Sequence, residues 1–441
     1  MNARTMQPGG VADWRWAPAW VLTFVALWPV RGIAEAVLVL GALAGLVRLV
    51  GSRFRGGGAL LSGPAWALTS VLFAAYWLPE LIAAIDARDR LHAFGEVLID
   101  LRYLPFLWVA AAAVASEAGR RRTFGGLALI ALVWTLDALV EAVCGTSPLF
   151  WLLDQAKHAL SGHGMCTASE VEAADRLAGV LGPCNLKLGI VLASLSPFAL
   201  AAARQRLGQL GWLAAAAAIG LVVILAGSRA SWLTYALVLL WTGWRALGGR
   251  KLMAVFAAGA LMLVVANVLS PQVHERVQRT TLALTAQPGG MDAALSGRGR
   301  IWSAALCMVR QHPLNGVGPR AFRDEFAACD PQPGRPAAWG SGVAFHAHQI
   351  VLEVLSETGV IGLLLWLAGA ALGWRAWRYA DAGARERARP AMLALAVSVF
   401  PLNTHLAAYS TFWGSVLLLL AALYAGSLWG RDAPVATGPQ S

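Results

Sequence analysis

Two histidines, His346 and His348, stand where a polar loop runs into a long apolar stretch, His346-Ala-His-Gln-Ile-Val-Leu-Glu-Val-Leu-Ser-Glu-Thr-Gly-Val-Ile-Gly362. A neutral imidazole takes up a proton near pH 7. A base at a membrane surface suggests chemistry on a lipid-borne substrate. Glu353 and Glu357 follow, but five and nine positions beyond His348. Neither sits at the i+3 or i+4 spacing that faces it across a helix, so neither is assigned to orient it. The bland alternative is a hydrogen-bonded surface histidine, so the choice rests on whether partners exist.

Arginines supply the second half of such a chemistry, because a guanidinium stays charged and binds phosphate in a bidentate fork. Arg229 follows Ala226-Gly-Ser in a turn with almost no loop between two apolar runs. A cation at that depth faces a polar cavity or a partner, or else snorkels to water. Arg298 and Arg300 flank a glycine in Ser296-Gly-Arg-Gly-Arg-Ile-Trp302, at the start of an amphipathic stretch, an arrangement suited to an anion. Either could be the principal ligand. Arg176 and Lys187 bracket Leu-Ala-Gly-Val-Leu-Gly-Pro-Cys-Asn-Leu, where Pro183 and Asn185 predict a broken helix start or an ordinary cap. No CxxC, HExxH or close pair of outer aspartates marks a metal site.

These side chains must be held by membrane helices. The chain is 58% hydrophobic and only 13% charged, too little charge to cover a water-soluble body of 441 residues. Apolar runs at 17–30, 33–50, 59–84, 97–116, 123–143, 177–203, 209–227, 230–247, 251–269, 349–373, 388–406 and 409–429 predict about twelve spans near the ~20 residues a bilayer requires. Residues 1–441 read as one transmembrane domain. Arg48, Arg53, Arg55, Arg120 to Arg122, Arg204, Arg206, Arg245, Arg250, Lys251, Arg375, Arg378, Arg385, Arg387 and Arg389 all fall on one side if both termini are cytoplasmic. That accounts for the net charge of +11 without nucleic acid. Met1 to Trp16 is polar and is not expected to be a cleavable signal.

Two loops on the other face are long, 145–175 and 270–347. The second carries the amphipathic stretch 300–310, expected on the membrane surface, and the turn Pro313-Leu-Asn-Gly-Val-Gly-Pro319. Cys144, Cys166, Cys184, Cys307 and Cys329 all lie on or near this face. The pairs Cys166–Cys184 and Cys307–Cys329 are compatible with that compartment, and so are five unpaired thiols.

Taken together, these motifs resemble the bacterial O-antigen ligases, in the group that includes O-antigen polymerases and protein O-oligosaccharyltransferases. The ligase pattern His-(Asn/Ser/Gln)-x9-Gly-x-x-(Gly/Thr/Tyr) matches His348, Gln349, Gly359 and Gly362. Arg229 after Gly-Ser, Ser296-Gly297-Arg298 with Trp302, Pro313 to Pro319, and Arg176, Gly179, Pro183 and Asn185 match further motifs in the same order. The resemblance covers nearly the whole chain. It implies an all-α polytopic membrane protein, GT-C-like, with a large helical periplasmic loop between helices 9 and 10.

It also implies a glycosyltransferase of the bacterial inner membrane with a periplasmic site. The donor would be a glycan on undecaprenyl pyrophosphate and the acceptor a sugar hydroxyl of lipid A–core, with membrane lipids as the other partners and no cofactor. His348 would be the base and Arg229 and Arg298 the pyrophosphate clamp, with inversion at the anomeric carbon. Arg300, Arg176, Asn185, Lys187, His346 and Gln349 would bind substrate. A polymerase or protein O-oligosaccharyltransferase shares the donor. A lipid-linked glycan transporter shares the helix number but would place charge near the bilayer midplane.

Overall fold

The computed structural model describes residues 14–54, 59–172, 174, 176–281, 295, 297–336, 339, 343–402 and 407–430. Residues 1–13 of the stretch Met1 to Trp16 that is not expected to be a signal, Arg55, Ser296 and residues 403–406 of the expected span 388–406 lie outside them. Every described element is helical.

In chain order the helices are α1 (Ala17–Ala26), α2 (Arg31–Phe54), α3 (Gly63–Ala84), α4 (Arg90–Asp100), α5 (Tyr103–Ala113), α6 (Glu117–Cys144), α7 (Pro148–Ser161), α8 (Ala168–Glu172), α9 (Leu188–Leu225), α10 (Arg229–Leu247), α11 (Gly249–Leu269), α12 (Pro271–Thr281), α13 (Arg298–Gln311), α14 (Phe322–Cys329), α15 (Ile350–Tyr379), α16 (Ala382–Ser398) and α17 (Thr411–Leu428). Many start where a short polar side chain accepts a first-turn amide: Ser62, Asp89, Ser116, Ser147, Asp381 and Ser410. Seven of the described helices are long and apolar enough to cross a membrane: those spanning 32–52, 63–84, 117–144, 188–225, 249–269, 350–379 and 411–428.

Helix α17 is the central post, buried from Trp413 to Leu428 among α3, α5 and α16. Helix α9 is two arms. Gly208 breaks it at φ 65°, and a Cβ on Gly189 would lie 2.9 Å from that of Ala226. The first arm therefore starts where the second ends, as a helical hairpin.

Three expectations need correction. The run 97–116 is not one helix; α4 and α5 meet at Leu101 and Arg102, where Arg102 turns to pair with Glu35 and Asp100. The run 177–203 begins as irregular chain with one 3-10 turn, Gly179–Leu181, and becomes helical only at Leu188. The amphipathic helix α13 does not turn its apolar face to a bilayer. Ile301, Ala304, Ala305 and Met308 are buried against Phe322, Phe326, Ala344 and Ala347, and a Cys307–Cys329 disulfide ties α13 to α14.

Helix α15 is broken at Gly359, φ 66°. The turn 313–319 docks into the break. Val317 and Gly318 N–H groups donate to Ser356 and Glu357, and Val360 and Ile361 donate to Pro313 and Leu314. A break inside an apolar helix leaves backbone groups without partners, and here a neighbouring backbone supplies them.

Candidate active site

Gln349 caps α15: its side-chain oxygen accepts Leu352 N–H at 2.6 Å while its amide donates to the Pro401 carbonyl at 2.7 Å. These two bonds let Gln349 hold the loop in place. One residue earlier, His348 has φ 52°, a left-handed conformation that non-glycine residues rarely hold. Its backbone N–H donates to His346 Nδ1 at 3.2 Å, and the two rings lie 3.9 Å apart. Between them Ala347 is buried, and its carbonyl accepts the Trp302 indole N–H at 3.1 Å. The His346-Ala-His-Gln loop is therefore pinned by α13 on one side and by Pro401 on the other.

His348 Nδ1 is buried without a hydrogen-bond partner. Burial first, and then the positive charge of Arg298, push the imidazole from its ordinary 6.5 down to about 4. It is neutral at pH 7. Glu353 was missed by spacing from His348, because the left-handed turn brings His346 round to it instead. Its Oε1 accepts Tyr409 N–H at 3.2 Å, and its buried Oε2 lies 4.0 Å from His346 Nδ1.

Arg298 opens α13 behind Gly297, at φ 74°, within electrostatic reach of His348. Arg300 is differently engaged. Its Nε and one terminal nitrogen grip Asp330 at 2.7 and 2.5 Å, and its other N–H groups donate to the carbonyls of Gln332, Arg335 and Pro336. All five donors are used, and the pair holds the Asp330 carboxyl below its usual range. Of the two arginines, Arg298 is the one whose charge bears on the histidine.

Arg176 packs against the turn that carries Arg229: a Cβ on Gly227, φ 65°, would lie 3.8 Å from that of Arg176. Arg176, Glu141 and Ser270 stand in the lining of an 810 Å³ groove whose walls include Leu225, Leu261 and Val265. Glu141 accepts the Ala178 and Gly179 amides, and Asp137 accepts Leu149 N–H and Ser147 Oγ–H. The Cys166–Cys184 disulfide closes this loop and Cys144 stays free, one of the two arrangements the spacing allowed. Asn185 is buried with its Oδ1 unpartnered. The Lys187 ammonium lies 4.8 Å over the Phe412 ring, in a 240 Å³ cavity with Glu35.

Arg320 escaped notice in the sequence, although it follows the Pro313–Pro319 turn directly. It too has a left-handed φ, 59°. Its N–H donates to Glu357 at 2.8 Å, and its guanidinium bonds the Tyr409 carbonyl at 2.7 Å, Asp100 at 2.7 Å and the Glu96 carboxylate. Asp100 is buried and has Arg320 and Arg102 as counter-charges, and Arg320 clamps the segment after the Pro313–Pro319 turn onto the bundle.

Residues 213–367, from the second arm of α9 through the break in α15, match the family model for O-antigen ligase. This segment resembles the O-antigen ligase family. It contains Arg229, Arg298, Arg300, His346, His348 and Gln349; Arg176, Asn185 and Lys187 precede it. The chain is also 31% identical, over 180 residues, to the exopolysaccharide production protein ExoQ of Rhizobium meliloti (strain 1021). That match covers 39% of this chain and 40% of the relative's length. The family match and the seven described helices of membrane-spanning length together indicate a multi-pass membrane protein.

Proposed function

We propose that this protein transfers a glycan from undecaprenyl pyrophosphate to a sugar hydroxyl of lipid A–core, on the periplasmic face of the inner membrane. The observation that carries the reading is His348: a neutral imidazole in a strained, doubly pinned loop, beside Arg298 and inside the family segment.

The chemistry follows from charge. The acceptor hydroxyl gives its proton to His348 as its oxygen bonds the anomeric carbon. The bond from that carbon to the pyrophosphate oxygen breaks, and the leaving electron pair stays on the pyrophosphate. Attack opposite the leaving group inverts the anomeric carbon. Arg298 and Arg229 hold the departing charge in a partly dehydrated site, where such contacts gain strength. A guanidinium fork does this without a divalent ion.

A base at about 4 is weak while the positive charge of Arg298 bears on it. A pyrophosphate on Arg298 offsets that repulsion and raises the proton affinity of His348. The base therefore gains strength when the donor is in place. Arg176, beside the Arg229 turn, lies in the lining of a largely apolar groove suited to the polyprenyl tail. Asn185 and Lys187 are then left for glycan contacts, and both termini are cytoplasmic.

A polymerase is the second reading. The ExoQ likeness favours it, since that relative is named for exopolysaccharide production. Purified protein mixed with lipid-linked glycan and either lipid A–core or a second lipid-linked glycan, without ATP or an ion gradient, decides between them by the product. No product with any acceptor would sink both readings and favour transport. His348→Ala is expected to abolish transfer while insertion and folding persist; full activity would remove His348 as the base.

A further inference from the structure

A separate cavity has neither His346 nor His348 in its lining. It is a groove of 1110 Å³ between α6 and the first arm of α9. Helix α6 runs from Glu117 to Glu141 and Cys144, and its Glu141 end holds the loop next to Arg176. The first arm of α9 runs from Leu188, beside Ala226, to the Gly208 break. The groove is at the Glu117 and Leu207 ends, so it opens on the face of the bundle opposite the Arg176–Arg229 turn.

Its chemistry is two-sided. One part of the lining is basic: Arg121, Arg122 and Arg206, all exposed, with the first turn of α6 alongside. Glu117 is the one acidic side chain in the lining. Three guanidiniums against one carboxylate leave the mouth cationic, and the positive end of the α6 dipole adds to it. The rest is an apolar slot. Gly125, Ala128, Ala202 and Ala203 keep it open, and Leu129 and Leu132 wall it. A Cβ on Gly125 would meet nothing within 4 Å.

We infer that this groove is a binding site for an anionic phospholipid, with the phosphodiester on Arg121, Arg122 and Arg206 and an acyl chain along Gly125 and Leu129. Charge complementarity selects an acidic headgroup over a zwitterionic one, and the apolar slot selects a lipid over free phosphate. This site is independent of the transfer chemistry.

The test uses the full chain in nanodiscs of phosphatidylcholine with a small fraction of phosphatidylglycerol, read by native mass spectrometry and by exchange of a labelled lipid. Phosphatidylglycerol is expected to be retained at least roughly tenfold over phosphatidylcholine, and less so in high salt. Inorganic phosphate should not compete at equal concentration. Arg121→Gln with Arg122→Gln and Arg206→Gln should erase the preference. Because those charges also orient the helices in the membrane, Gly125→Leu provides the second variant: it keeps every charge and fills the slot. Loss of retention in Gly125→Leu supports the site. Equal retention of both lipids by the unaltered protein, or undiminished preference in both variants, overturns it. Displacement by phosphate alone would also overturn it, since a bare anion site needs no acyl chain.

Discussion

At the scale of the residue, His348 joins backbone strain to electrostatics. Burial and Arg298 both disfavour its protonated form, so its folded value is about 4 against an ordinary 6.5. Between those values the unfolded chain binds the proton and the folded chain does not. Stability from this group therefore rises with pH across that window and is lost on acidification. Catalysis by the neutral ring predicts an acid limb of kcat/KM near pH 4 in the free enzyme, well below that of an ordinary histidine. Arg298→Gln should lower the rate and also move that limb upward, without reaching 6.5, because burial is the larger cause. A limb that stays at the same pH in the variant would separate Arg298 from His348. The chemistry-bearing types were legible in the sequence: His348 and Arg298 stand out by residue type and loop position. The partners were less so. Arg300 looks equivalent to Arg298 two positions on, and only the fold shows its five donors consumed by Asp330 and three carbonyls. Glu353 was set aside on helical spacing, a rule that does not hold across the left-handed turn at His348.

At the scale of the element, two loose motifs turn out to be one structural device. The glycine of the Pro313–Pro319 turn and the glycine eleven residues after His348 touch the same backbone crossing. A Cβ on Gly316 would lie 2.3 Å from the Glu357 carbonyl carbon, and one on Gly359 would lie 2.3 Å from that of Leu314. Both have positive φ, 71° and 66°. Such overlap with backbone cannot be relieved by a side-chain rotation, and the left-handed conformation adds strain for any L side chain. Gly316→Ala or Gly359→Ala should therefore each cost roughly 2–4 kcal/mol and lower the thermal inactivation temperature, with transfer falling as the docked turn is lost. Gly259→Ala is the control, since a Cβ there meets nothing within 4 Å. Equal stability of all three variants would mean that the turn does not need to enter the break. The sequence shows these glycines as motif letters; that they meet across forty residues of chain depends on tertiary contact, which spacing does not encode.

At the scale of the whole molecule, helix existence was legible and helix continuity was not. Apolar length predicts the runs that become α3, α6, α11 and α17, because burial in lipid requires it. It misreads 97–116 and the start of 177–203, where Asp100, Arg102 and the Glu141-bound amides interrupt an otherwise apolar stretch. The proposed reaction sets one demand on the assembled molecule: cations from separate segments, Arg229 in the family core and Arg298 on the outer helix, act on one pyrophosphate. Fixed guanidiniums differ from a bound ion in two measurable ways. Transfer should persist in excess EDTA, and a requirement for added Mg²⁺ would replace the clamp with a metal. Geometry as well as charge should also matter. A lysine keeps the charge but offers a single ammonium in place of the planar fork. Arg229→Lys and Arg298→Lys should retain part of the activity, with Arg→Ala at either position lower by a further tenfold or so, the order expected for one charged hydrogen bond in such a site. If the Lys and Ala variants are equally inactive, charge alone contributes nothing and the fork is indispensable. If the Lys variants are fully active, the fork is irrelevant and a point charge suffices. A graded series at both positions, with the double Lys variant departing from the product of the singles, is the pattern expected when both forks grip the same leaving group.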